Sequence, residues 1–62
     1  MEMLTIRQIR LMNEATQDDF AELLGISKNA YCNKELGYKR FYFAEVKKIC
    51  KTYDIDINRI IA

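Results

Sequence analysis

The sequence contains no histidine and no proline, and only two glycines and two cysteines. Each scarcity excludes something. Without histidine a Cys–His nucleophilic pair is impossible. Cys32 and Cys50 stand far apart with no C-x-x-C spacing, and a zinc site needs more ligands than two thiols. Cys50 sits in an apolar pattern, where a free thiol serves as a small core residue, and a disulfide does not suit a reducing compartment. No phosphate-cradling glycine loop is present. No apolar run approaches the roughly 20 residues of a membrane span. The start Met1-Glu2-Met3-Leu4-Thr5-Ile6-Arg7 lacks the basic region and small-residue cleavage site of a signal peptide. These absences predict a cytoplasmic protein that is not an enzyme. No cofactor, metal, small-molecule ligand or membrane is expected as its partner.

What is present points to a folded domain. Half of the 62 residues are apolar and 31% are charged, too apolar a balance for a disordered chain. The length allows a single domain, 1–62, at a size where about 60% of the unfolded surface becomes buried. The formal charge of +1 conceals a pattern. Glu14, Asp18, Asp19 and Glu22 give residues 11–27 a charge of −4. Lys28, Lys34, Lys39, Arg40, Lys47, Lys48 and Lys51 against Glu35 and Glu45 give residues 28–51 a charge of +5. Such a basic segment is either a footprint for an anionic partner or a set of solvated helix faces.

The scarcity of glycine and proline favours helices, and their limits are marked. Ile6, Ile9 and Asn13 recur at helical spacing, with Arg10 beside them, which predicts a first helix over about 4–13. Thr16-Gln17-Asp18-Asp19 reads as a capping box opening a second helix, with Phe20, Ala21, Leu23 and Leu24 as its buried stripe. Gly25 ends it and Ser27 caps a third helix reaching about Leu36, which Gly37 ends. After a loop at 38–42, a fourth helix over 43–53 is expected to bury Phe43, Val46, Ile49, Cys50 and Tyr53. Ile57, Ile60 and Ile61 are spaced for a short fifth helix. The expected fold is an all-α bundle of five helices.

Only Gly25 and Ile26 separate the second helix from the cap of the third, so the two must cross steeply, in helix-turn-helix fashion. Such a crossing needs a small inward residue, and Ala21 supplies it. Thr16-Gln17, Phe20-Ala21, Leu24-Gly25-Ile26-Ser27 and Glu35-x-Gly37 together make the chain resemble the Cro/C1-type helix-turn-helix family over about residues 4–61. This is the lambda-repressor-like, XRE-like group of phage and mobile-element regulators. The resemblance implies a compact five-helix DNA-binding domain. It would dock its third helix in the major groove of operator DNA, as a homodimer.

Projected as a helix, residues 27–36 separate into two faces. Ser27, Ala30, Tyr31 and Lys34 fall inward, and Lys28, Asn29, Cys32, Asn33 and Leu36 fall outward. Periodicity alone makes the outward set an ordinary solvated exterior. With the resemblance it becomes the base-reading face, because Lys suits guanine, Asn suits adenine and Leu36 suits a thymine methyl. The resemblance also places Gln17, Ser27, Tyr38, Lys39 and Arg40 on phosphates, and implies an internal ion pair between Arg10 and Glu35.

The chain departs from the family's pattern at several points. Lys34 takes an inward place usually apolar, where its stem would pack and its ammonium snorkel out. Glu14 replaces a glycine, leaving Asn13 to adopt the left-handed conformation. Phe41 and Tyr42 replace a proline and a capping serine. With Tyr38 they form an aromatic group that marks a partner surface; in the alternatives, Phe41 and Phe43 complete the core and Tyr38 and Tyr42 rest on the sugar–phosphate backbone. Ile57, Ile60 and Ile61, together with the loop aromatics, are the candidate dimer surfaces. The competing function is a protein-binding module that keeps the fold and engages another regulator or polymerase through those aromatics.

Overall fold

The computed structural model describes residues 2–61. Among them the order is strand β1 (Leu4–Thr5), helices α1 (Ile6–Met12), α2 (Gln17–Leu24), α3 (Lys28–Glu35) and α4 (Phe43–Tyr53), a one-turn 3-10 helix (Ile57–Arg59) and strand β2 (Ile60–Ile61). The described residues are mostly helical, with four α-helices rather than five.

Local chemistry sets most of the boundaries. Thr5 and Gln8 form a reciprocal capping box: Gln8 N–H donates to Thr5 Oγ1 at 3.1 Å, and Thr5 N–H to Gln8 Oε1 at 2.8 Å. The first helix therefore starts at Ile6, and Leu4 lies outside it. The expected Thr16–Asp19 capping box opens α2, with bonds of 2.8 and 3.1 Å. Gly25 ends α2 at φ +71°, where a side chain would be strained. Ser27 Oγ caps α3 by accepting from Ala30 N–H.

Three expectations are corrected here. Glu14, not Asn13, takes the left-handed conformation (φ +54°, against −100° for Asn13). Asn13 instead donates its side-chain amide to Ile9 O, closing the end of α1. The tail forms no fifth α-helix. Asp54 turns left-handed at φ +55°, and Asp56 Oδ1 caps a single 3-10 turn by accepting from Asn58 N–H. The tail then runs out as β2, which pairs in parallel with β1, Leu4 opposite Ile60 and Thr5 opposite Ile61. Backbone pairing with a segment some 55 residues away outweighs the local helical spacing. Finally, Phe43 is not core. As the first residue of α4 it is 71% exposed.

The core joins every helix. Leu4, Ile6, Ile9, Phe20, Ala21, Tyr31 and Ile49 form one buried cluster. Phe20 meets Tyr31 edge-on at 5.8 Å and stacks on Tyr53 at 5.3 Å. Ala21 is buried on α2, and Ile26 donates its N–H to Ala21 O at 3.0 Å, so the chain turns tightly back and α2 packs against α3. That packing holds α3 at the surface while only Tyr31 of it is fully buried.

Candidate nucleic-acid interface

The elements that position α3 converge on one carboxylate. Glu35, at the last turn of α3, has a side chain only 4% exposed. Arg10 grips it with two bonds, Nε to Oε2 at 2.9 Å and Nη2 to Oε1 at 3.0 Å. Tyr31 donates its hydroxyl to Oε2 at 2.5 Å, and Gln17 Nε2 approaches Oε1 at 3.4 Å. Arg10 Nη1 also donates to Ala15 O, tying in the turn between α1 and α2. Burial works to raise the Glu35 pKa, but the bonds from Arg10, Tyr31 and Gln17 outweigh it and hold the carboxyl below its ordinary range. Burial and the bond to Glu35 push the Tyr31 hydroxyl well up, and the bond to Glu35 helps raise Arg10. This network is a brace: it fixes α3 against α1 and α2.

The residues singled out along α3 are not all alike. Lys28, Asn29 and Leu36 are exposed. Asn33 is half-buried but lines a cleft with Asn29. Cys32 is drawn under the start of α2, where its Sγ donates to Gln17 Oε1 at 3.1 Å. Lys28 lies 3.9 Å from Asp18, with both side chains largely exposed, so the pair is weak.

Among the phosphate candidates, Tyr38, Lys39 and Arg40 stand exposed on the loop after α3. No carboxylate among the described residues lies within ion-pair distance of Lys39 or Arg40. Gln17 is half-buried, its amide held between Cys32 and Glu35. The Ser27 hydroxyl serves as the α3 cap. A cleft of about 550 Å³ runs between α3 and the loop, lined by Ser27, Asn29, Ala30, Asn33, Lys34, Lys39, Arg40 and Tyr42. It gathers amide donors and acceptors, two exposed cations and one exposed aromatic ring along a single concave edge.

Lys34 does not snorkel. Its ammonium donates to Glu45 Oε1 at 2.6 Å, with the two side chains 10% and 12% exposed. It also lies 4.3 Å from the centre of the Tyr42 ring. A partner eleven residues along, on the first turn of α4, makes the inward placement possible.

The three tail isoleucines do not share one surface. Ile57 and Ile60 line an apolar groove of about 390 Å³ with Phe41, Phe43, Val46 and Asn58. Ile61 borders a different cleft, of about 630 Å³, with Thr5, Arg7, Gln8, Lys39 and Arg40. Glu45, Gln8 and Phe43 were not singled out from sequence as site or brace residues. A Thr-x-x-Gln signal before Ile9 marks Gln8, whereas nothing local marks Glu45 or Phe43.

Among the described residues no cluster of three His, Cys, Asp or Glu side chains could hold a metal. No helix among them is long and apolar enough to cross a membrane. No family model matches the chain, and no curated protein or solved structure matches it either.

Proposed function

We propose that this chain is a sequence-specific DNA-binding transcriptional regulator of Cro-like, lambda-repressor-like type. In this reading α2 and α3 form the helix-turn-helix and α3 enters the major groove. The observation that carries it is the cleft joining Asn29 and Asn33 of α3 to the exposed Lys39 and Arg40 of the following loop. Lys28, Asn29 and Asn33 read base edges, Lys39 and Arg40 position the domain on phosphates, and Leu36 contacts a thymine methyl. The buried Arg10–Glu35 brace supports the reading, because base readout needs a helix held rigidly. Cys32 is a lesser reader than its helical position suggests, since its thiol is turned to Gln17.

The regulator acts as a homodimer assembled on a two-fold operator, with half-sites about one helical turn apart. The second copy meets the groove of Phe41, Val46, Ile57 and Ile60, with the exposed Phe43 of each chain at its rim. A stable interface covers about 800 Å² per partner, nearly a fifth of this chain's 4464 Å² surface. Association off DNA is therefore weak. Tyr38 and Tyr42, 76% and 72% exposed, favour a second reading in which the loop binds another protein.

Selection of duplexes from a random-sequence pool tests the first reading. It predicts enrichment of a two-fold motif that K28A, N29A and N33A each degrade. Enrichment of no motif, or a motif unchanged in all three variants, would overturn it.

A further inference from the structure

Of the two lysines on α3, Lys28 is exposed and Lys34 is enclosed. Lys34 and Tyr42 both converge on one oxygen of Glu45. Lys34 Nζ donates to Oε1 at 2.6 Å, and Tyr42 N–H donates to the same Oε1 at 2.8 Å. A single carboxylate thus ties the last turn of α3 to the residue that caps α4. The loop between them is held unevenly. Its near end bonds back to α3, with Tyr38 N–H and Lys39 N–H donating to Asn33 O at 2.9 and 3.3 Å. No backbone hydrogen bond anchors Arg40 or Phe41 among the described residues. The far end is secured by the Glu45 oxygen, by the Lys34 ammonium over the Tyr42 ring at 4.3 Å, and by Phe41 against Tyr31 at 5.9 Å.

We infer that Lys34 is a positioning residue: with Glu45 and Tyr42 it clamps the far end of loop 38–42 onto α3, setting Lys39 and Arg40 beside Asn29 and Asn33. The inference rests on the DNA-binding reading proposed above and assigns a role within it that the helix position of Lys34 would not suggest. A lysine on a DNA-facing helix is ordinarily read as a phosphate or base contact. Here the ammonium is enclosed and already engaged on two sides, so it does not meet the nucleic acid. Its effect on binding is transmitted through the loop. The exposed Tyr42 ring, backed by the ammonium, is held in place as one wall of the cleft.

Three variants separate positioning from plain structural support. Lys34→Met alone strands the Glu45 carboxylate and lowers the melting temperature. Lys34→Met with Glu45→Gln removes both charges together, keeps an acceptor for Tyr42 N–H and brings the melting temperature back near that of the wild type. Lys34→Arg keeps a cation that can hold both Glu45 and the ring. Binding is read with a random-sequence duplex of about 20 base pairs in low salt, since phosphate contacts need no operator.

The clamp predicts about a tenfold weaker affinity for the double variant despite its restored melting temperature. It predicts a salt dependence shallower by about one ion as loop contacts are lost, and near-wild-type binding by Lys34→Arg. Faster amide exchange at Tyr42, Tyr38 and Lys39, the loop amides that are hydrogen-bonded, is expected in the double variant without any DNA. Wild-type affinity and salt slope in the double variant would overturn the inference, as would unchanged loop exchange. If the wild-type chain binds no duplex while the exchange still accelerates, the DNA-binding reading fails and the mechanical clamp stands.

Discussion

Arg10→Met tests the brace on which the position of α3 depends. The Arg10 and Glu35 side chains are 11% and 4% exposed, and two bonds of 2.9 and 3.0 Å join them. Breaking a buried pair at one partner costs about 3–5 kcal/mol; here Arg7 Nε, 3.9 Å from Glu35 Oε1 but largely exposed, compensates the stranded carboxylate only weakly, which puts the loss near the lower end. Met preserves much of the Arg stem's packing, so the loss isolates the guanidinium. A domain of this length has about 3–9 kcal/mol of total stability. At about 2.1 cal/mol/K per residue, 62 residues unfold with an entropy near 0.13 kcal/mol/K. The melting temperature should therefore fall by at least about 20 °C. Thermal and urea unfolding followed by circular dichroism measure it. Arg10→Met with Glu35→Gln removes both charges, keeps one acceptor oxygen for the Tyr31 hydroxyl, and should recover part of the loss. A fall of only a few degrees in Arg10→Met, or no recovery in the double variant, would refute the brace.

Three further outcomes follow from the geometry. Glu14→Gly relieves a left-handed residue (φ +54°) and should raise stability by about 0.5–1 kcal/mol in urea unfolding, after allowing for the flexibility glycine adds to the unfolded chain. The Glu35 carboxyl is held low by Arg10, Tyr31 and Gln17, and bonds to Thr16 lower Asp19. Their contribution is fully present above the unfolded carboxylate pKa, about 4, and disappears as pH falls through the depressed folded values. The urea midpoint should hold from neutrality down to about pH 5 and then drop, less steeply in Glu35→Gln. Phe43→Ser removes an exposed ring at the rim of the groove, so the monomer's stability should stay within about 0.5 kcal/mol of the wild type. Cooperative binding to a two-fold site should fall, and an unchanged binding curve would remove this groove from the dimer surface.

The features readable in the sequence were those whose cause is local. Thr16 and Asp19 are three residues apart and find each other in the first turn of α2, and Gly25 and Ser27 act on their own backbone. The span of α4, Phe43–Tyr53, follows from its apolar spacing. Features set by distant partners were not readable. Ile57, Ile60 and Ile61 carry a helical spacing, yet Ile60 pairs with Leu4, and no local signal announces a parallel pairing between the two ends. That same pairing, with the Thr5–Gln8 capping box, takes Leu4 out of α1. Lys34 could be placed inward by periodicity, but the partner that keeps its ammonium there is Glu45 on another helix. Helical phase also put Cys32 outward, while packing of α2 over α3 brings Gln17 against its thiol.

Titration of the chain with a duplex over a range of salt concentrations, beside Lys39→Ala/Arg40→Ala, tests the central claim most directly. Among the described residues neither cation has an ion-pair partner, so their loss should leave the fold intact and bear on an external anion. Affinity should fall steeply with salt on a log–log plot, with the slope reduced by about two in the double variant. Absent binding, or a slope the same in both proteins, would contradict it.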